Sequence, residues 1–327
     1  MPQETQIVPK WRHPHVETHI NDNTFVEDTA YSEDDNSIKF LSVFTSSKGI
    51  DNVLVKKKSL KSFKRTFGET DYKKHGQPLM MPIAILSQPG RIVQCMRIMP
   101  DDATYANVII SAVYKADTAS KKFLLGYKAS YVPNAFSQSE IDMEFAVLKA
   151  KVDPDAQGFV TKPLLSARVP GRGTYGNYNR LRISRSLSAE KDYGIKVYNY
   201  NVISAENGLE SIGNYVGSMV MSPKYKQSTL INDMIDELEI GESFLSINVD
   251  EDAVIELYDE FVEFMKALPV GEGVDSIPDL DGFDMFFGQD IAVARAHKNI
   301  TILTPTSPEV TGLIAIDAID GIPFTGG

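Results

Sequence analysis

Short runs of strand-forming residues, each closed by Gly, Pro, Asn or Asp, recur along most of the chain and restrict it to a sheet-built fold. They fall at 38–45, 53–55, 92–99, 123–132, 145–151, 180–184, 195–202, 301–304 and 313–316. Turns separate them at Gly49 with Asp51-Asn52, at Pro89-Gly90, at Pro100-Asp101-Asp102, at Pro133-Asn134, at Asp153-Pro154 and over 171–176. Helical patterns are fewer. Ser59 stands as an N-cap before Leu60, Phe63 and Phe67, with Gly68 as the stop. Residues 78–87 read as a second short helix, and 228–238 and 251–268 as two more. The last carries Val254, Leu257, Tyr258, Phe261, Met265 and Leu268 close to a helical stripe, a core-facing pattern.

This order predicts an α+β chain. An extended N-terminal arm over 1–37 precedes a small α/β unit over 38–118. A mostly β, sandwich-like insertion domain with a few helices follows over 119–312, then a return segment over 313–327. A length of 327 residues with 43% hydrophobic content supports two or three domains with real cores. The arm holds Pro2, Pro9, Pro14 and a polar, acidic run over 27–36, with too few large apolar residues for a core of its own.

Charge excludes some function classes. A net charge of −11 disfavours nucleic acid as a partner. No stretch approaches the ~20 apolar residues of a membrane helix, and no signal-peptide pattern follows Met1, so no membrane partner is expected and a soluble, cytoplasmically made chain is. The single cysteine, Cys95, allows no disulfide within the chain and sits in a strand pattern as a core thiol. Residues 48–74 hold nine Lys or Arg and three acids, whereas 233–263 hold twelve acids and no Lys or Arg. These are two solvated faces, or they are complementary patches that meet between copies of the chain. The second reading nominates Lys56, Lys57, Lys58, Lys61 and Lys64 against Asp236, Glu237, Glu256, Asp259 and Glu260.

Little in the sequence carries chemistry. Gly171-Arg172-Gly173-Thr174-Tyr175-Gly176 matches G-x-G-x-x-G, but the alternating run that follows, from Asn177 to Ile183, predicts a strand where a dinucleotide site needs a helix. His13, His15, Glu17 and His19 would share one face of an extended strand and could hold zinc or nickel, but an exposed arm strand with Val16, Thr18 and Ile20 packed on its other face accounts for them without a metal. No Walker, C-x-x-C or H-E-x-x-H sequence occurs, and no serine sits in a nucleophile elbow. No catalytic residue, cofactor or functional metal is expected.

Three stretches resemble the phage contractile tail sheath family. Residues 40–49, then 53–55, then 59–68 are similar to its opening strand, its K/R-G-x-x-N turn and its S-x-x-x-F-x-x-x-F-G helix, with Asn52 one place off the commonest spacing. Residues 77–100 resemble its helix leading into a strand that ends here in Arg97-Ile98-Met99-Pro100. Residues 167–177, then 181–183, look like its A-x-x-P-G-x-W-G-N turn and following strand; Tyr175 stands in place of the usual tryptophan, and the turn is longer. Pro170, Gly171, Gly173, Gly176 and Asn177 are then structural turn residues.

The resemblance implies a non-enzymatic subunit of a virion tail, assembled in the host cytoplasm. Its partners would be copies of itself in helically stacked rings, the tail tube protein, and baseplate and tail terminator proteins. Contraction would drive the tube through the host envelope and eject the genome. The resemblance also implies strand exchange between subunits through the arm, at His15, Val16, Glu17, Thr18, His19 and Ile20. The closing residues 319–327 resemble the family's L-T-G-G-S-D-G lead into a final α/β domain, and the resemblance implies that this chain would be the front part of a longer protein. A baseplate or tube component, and a nucleotide-binding enzyme, are the alternatives.

Overall fold

The structure of the protein, a computed structural model, describes residues 20–21, 39–70, 73, 76–151, 153–186, 197–221, 229–268 and 299–327. It is mixed α+β, with strands outnumbering helices, as the sequence predicts. By internal contacts it forms two units. The first takes described residues from Met1–Ala103 together with Pro170–Gly173 and Ile240–Glu242; the second takes Thr104–Val169, Thr174–Glu239 and Ser243–Gly327.

Alternation builds the first unit. In β2 (Lys39–Phe44), β3 (Leu54–Lys57) and β4 (Ile92–Arg97), every second side chain turns inward, burying Phe44, Val55, Val93 and Cys95. The sheet order is β1-β2-β4-β3, with β1 (Ile20–Asn21) at one edge. β2 and β4 are parallel, and β3 returns antiparallel to β4. A parallel pair needs a long crossover, and α1 (Leu60–Phe67) and α2 (Met80–Leu86) lie within it. α1 begins where the Ser62 amide donates to Ser59 Oγ at 3.1 Å, and it ends at Gly68 with φ +90°. One turn apart on its inner face, Phe63 and Phe67 meet the Phe44 ring at centroid distances of 5.8 and 5.0 Å. Burying each of these rings stabilises by roughly 1.5–3 kcal/mol.

The second unit is mostly β. One sheet runs β11-β7-β5-β6-β12, through β11 (Ser246–Val249), β7 (Val160–Arg168), β5 (Asn107–Asp117), β6 (Lys122–Ser130) and β12 (Ile300–Ile302), and β13 (Leu313–Ile314) also pairs with β6. The other runs β10-β9-β8-β14, through β10 (Glu210–Gly217), β9 (Tyr198–Ser204), β8 (Asn179–Arg185) and β14 (Ile322–Pro323). Both sheets feed one core, in which Val108, Ile110 and Leu125 join Leu181, Tyr200 and Val202. α4 (Ile231–Asp236) and α5 (Glu251–Ala267) add to it. Asp250 caps α5 by accepting from the Ala253 amide at 2.9 Å, and Glu251 and Asp252 favour the positive end of the helix. The stripe predicted for α5 is buried as expected, and its Phe261 packs edge-on against Phe123 at 5.4 Å.

One predicted strand is a helix. Residues 145–151, expected to be extended, belong to α3 (Gln138–Ala150) and its cap. Ser137 and Glu140 form a capping box, with the Ser137 amide donating to Glu140 Oε2 at 3.1 Å. That start sets a helical period, which buries Ile141 and Phe145 and leaves Met143 outside. The run Phe145-Ala146-Val147-Leu148 suggests a strand only when read without its cap.

Candidate structural and interaction sites

Two short segments return to the first unit, and each is fixed by a buried charge. The turn Pro170–Gly173 closes on the loop between β2 and β3. A Cβ on Gly171 would fall onto the Gly49 carbonyl oxygen, so only glycine permits this approach. Gly49 has φ +109°, and a Cβ there would lie 2.5 Å from the Phe67 ring. Arg97 is the hub. Its Nε donates to the Ser46 carbonyl at 3.0 Å, Nη1 to the Gly49 carbonyl at 2.7 Å and Nη2 to the Arg172 carbonyl at 3.0 Å. Asp51 lies between two guanidinium groups. It accepts from the Arg172 amide at 2.8 Å and from Arg172 Nε at 2.7 Å, and it stands 3.8 Å from Arg97 Nη1. The side chains of Arg97, Asp51 and Arg172 are 1%, 2% and 11% exposed. Such a cluster fixes geometry more than it adds stability.

The second anchor holds Ile240–Glu242. Lys57 points inward from β3, its side chain 1% exposed. Its ammonium donates to Glu242 Oε1 at 2.5 Å, to the Gly241 carbonyl at 3.2 Å and to Ser62 Oγ at 3.2 Å. Ser62 also donates to Glu242 Oε1, at 2.8 Å. Burial alone would raise the Glu242 carboxyl, but the hydrogen bonds from Lys57 and Ser62 and the Lys57 charge outweigh it and hold the group below its ordinary range.

Within the second unit, Asn177 clamps the chain's closing residues. Its amide donates to the Gly327 carbonyl at 2.8 Å, and its oxygen accepts from the Gly327 amide at 3.0 Å. Nearby, Asn107 and Thr325 exchange backbone hydrogen bonds of 2.9 and 3.2 Å. Gly176 packs directly on Ala106. The turn residues Pro170, Gly171 and Gly173 thus belong to the first unit, and Gly176 and Asn177 to the second.

The other sequence-derived residues scatter. His15, Val16, Glu17, Thr18 and His19 lie outside the described residues, as does His13. Ile20, expected to pair with a neighbouring subunit, is bonded here within its own chain: Ile20 stands opposite Phe40, and Asn21 opposite Lys39. Lys56, Lys58 and Lys61 are exposed, as are Asp236, Glu237, Asp259 and Glu260. Lys57 does not belong with the surface lysines, because alternation in β3 turns it inward to Glu242. Lys64 pairs with Glu69 at 3.0 Å, and Glu256 with Lys162 at 2.8 Å. Glu260 bonds the Tyr114 hydroxyl, whose pKa is raised by burial and then by this carboxylate.

The G-x-G-x-x-G stretch leads into a single 3-10 turn, Thr174–Tyr178, and then β8, so no helix N-terminus faces a phosphate. Cys95 is fully buried, and burial pushes its thiol up to about 12. Among the described residues no group of three or more His, Cys, Asp or Glu could hold a metal, and no helix is long and apolar enough to cross a membrane.

No protein-family pattern matches the chain, and no curated protein matches it. Among solved structures it is similar to a sheath tail protein from Listeria innocua, at 11% identity and a TM-score of 0.24, over 72% of this chain and 45% of that one. It is also similar to a sheath tail protein from Desulfitobacterium hafniense, at 9% identity and a TM-score of 0.24, over 85% of this chain and 51% of that one. The chain spans about half the length of these two proteins. At such TM-scores the likeness carries no structural argument.

Proposed function

We propose that the chain is a structural subunit of a phage tail and, more specifically, a building block of a contractile tail sheath with no catalytic role. One observation carries the proposal. The three sequence stretches that resemble the sheath family are far apart in the chain, yet they meet in one buried constellation. Gly49 and Phe67 come from the first, Arg97 from the second, and Gly171 and Arg172 from the third. Unrelated chance matches would have no reason to converge on mutual contacts.

In this reading copies of the chain stack as rings around a tail tube protein, bounded by baseplate and tail terminator proteins. Contraction is then a change between two packings of the same subunit across a kinetic barrier, and the free energy released moves the tube. Electron microscopy of the purified chain, and of particles labelled with gold against it, tests the proposal. The expected result is hollow cylinders and label along the full tail. Label confined to a baseplate or an inner tube, or a chain that stays monomeric under all salt conditions, overturns it.

A further inference from the structure

Among the described residues, the first sheet has one covered face and one open face. Phe63 and Phe67 of α1, Leu86 of α2 and Leu79 just before it share a single cluster with Phe44, Val55, Val93 and Cys95 on the inner face. The alternate residues point the other way. Val43 stands beside Met96, and Met96 opposite Leu54, which makes an apolar row across three strands. Val43 and Met96 are half-buried, Leu54 is 48% exposed, and none of the three belongs to a buried cluster of the described residues. Beside this row Lys56 stands opposite Gln94, exposed on the same face, and Lys58 follows at the end of the strand, also exposed.

The second unit carries a surface of the opposite character. α4 buries Ile231 and Ile235, and so turns Met234 outward at 39% exposure. Leu238, four residues on and just past the end of α4, is 40% exposed, and Asp236, Glu237 and Glu239 around it are exposed as well. It is an apolar pair at helical spacing set among carboxylates, matching an apolar row edged by lysines.

We propose that a second copy of the chain docks the end of its α4 on the outer face of the first sheet. Met234 and Leu238 cover the Val43–Met96–Leu54 row, while Glu237 and its neighbouring acids meet Lys56 and Lys58. This rests on the self-assembly reading and names the surfaces that would carry it. Each copy has one patch of each kind to offer, and in the self-assembly reading the contact repeats from copy to copy around a ring or along a helix. Nucleic acid is a poor occupant for a chain of net charge −11, whereas the acids of a second copy offer carboxylates to Lys56 and Lys58, which pair with none among the described residues.

Disulfide trapping in the full chain provides the test, since the only native thiol, Cys95, is fully buried. Chains carrying Lys56→Cys are mixed with chains carrying Glu237→Cys under mild oxidation. Cross-linked mixed dimers are expected at roughly tenfold or more over either chain alone. No mixed dimers, or Lys56→Cys chains that cross-link to themselves equally well, overturns the contact. In parallel, Lys56→Glu should lower assembly at low salt about tenfold, and adding Glu237→Lys in the same chain should restore it in part. If Lys56→Glu assembles like the wild type, the lysines only protect an edge strand and the proposal fails. Cylinders without cross-links would leave the sheath reading standing and remove this contact; cross-linked copies that never form cylinders would do the reverse.

Discussion

Among the described residues of the second unit the largest fully buried side chains are rings: Phe123, Tyr198, Tyr200, Phe261 and Phe324. In the first unit Arg97 and Lys57 stand in the same class as Phe44, Phe63 and Phe67. Core size accounts for the contrast. Among the described residues, eight buried apolar residues form the first unit's cluster, against thirty-five in the main cluster of the second. A small core cannot hold distant chain segments by area alone. The first unit instead holds two returning segments with ionised groups that satisfy backbone carbonyls as well as carboxylates. A charged anchor demands correct geometry, and it fails sharply when one partner is lost. An apolar core fails in proportion to the volume removed.

The sharpest way to break this contrast is Gly171→Ala. The added methyl has no room against the Gly49 carbonyl, so the turn must leave its seat. A loss above about 4 kcal/mol is expected in the first unit. Hydrogen exchange should show faster amides in β2, β3 and α1, with β5 to β9 unchanged. Equal loosening of both units would mean that they do not respond separately. Asp51→Ala should follow, at about 3–5 kcal/mol, because it leaves Arg97 and Arg172 buried together without a carboxylate. Its mirror test is Phe261→Ala, also about 3–5 kcal/mol, which should be felt in the second unit alone.

The sequence revealed what local rules govern. Ser59, Phe63, Phe67 and Gly68 announced α1 because a cap, a stripe and a stop are all local signals. The alternation in β4 could also have flagged Arg97, since Val93, Cys95 and Arg97 share one parity and the first two are plainly core residues. The same holds for Val55 and Lys57 in β3. Strand β5 escaped because both of its faces are buried, so it shows no alternation. Its neighbour β7 includes Pro163 at the register shift against β5, a residue that argues against a strand. The partners of Arg97 and Lys57 were not legible at all. Arg172 is 75 residues away and Glu242 is 185 from Lys57, and nothing local links them.

The smallest expected effect sharpens the comparison from the acid side. Glu242 is held below the ordinary carboxyl value of 4.5, although burial opposes this, by Lys57 and Ser62. A depressed carboxyl contributes stability that is fully present above its unfolded value and is lost as pH falls through its folded value. The first unit should therefore loosen as the solution is acidified below about 4.5, through protonation of this anchor. Glu242→Gln keeps the shape but removes the charge. With Glu242 36% exposed, water screens part of the attraction, so the substitution should cost only about 1–2 kcal/mol at neutral pH. It should also flatten the acid response of the first unit while leaving that of the second as it was. Exchange of the Lys57, Gly241 and Glu242 amides, followed from pH 7 downward in both proteins, reads this directly. If the variant loses protection in parallel with the wild type across the whole range, other carboxylates govern the acid response, and the Lys57 anchor serves only to place the segment.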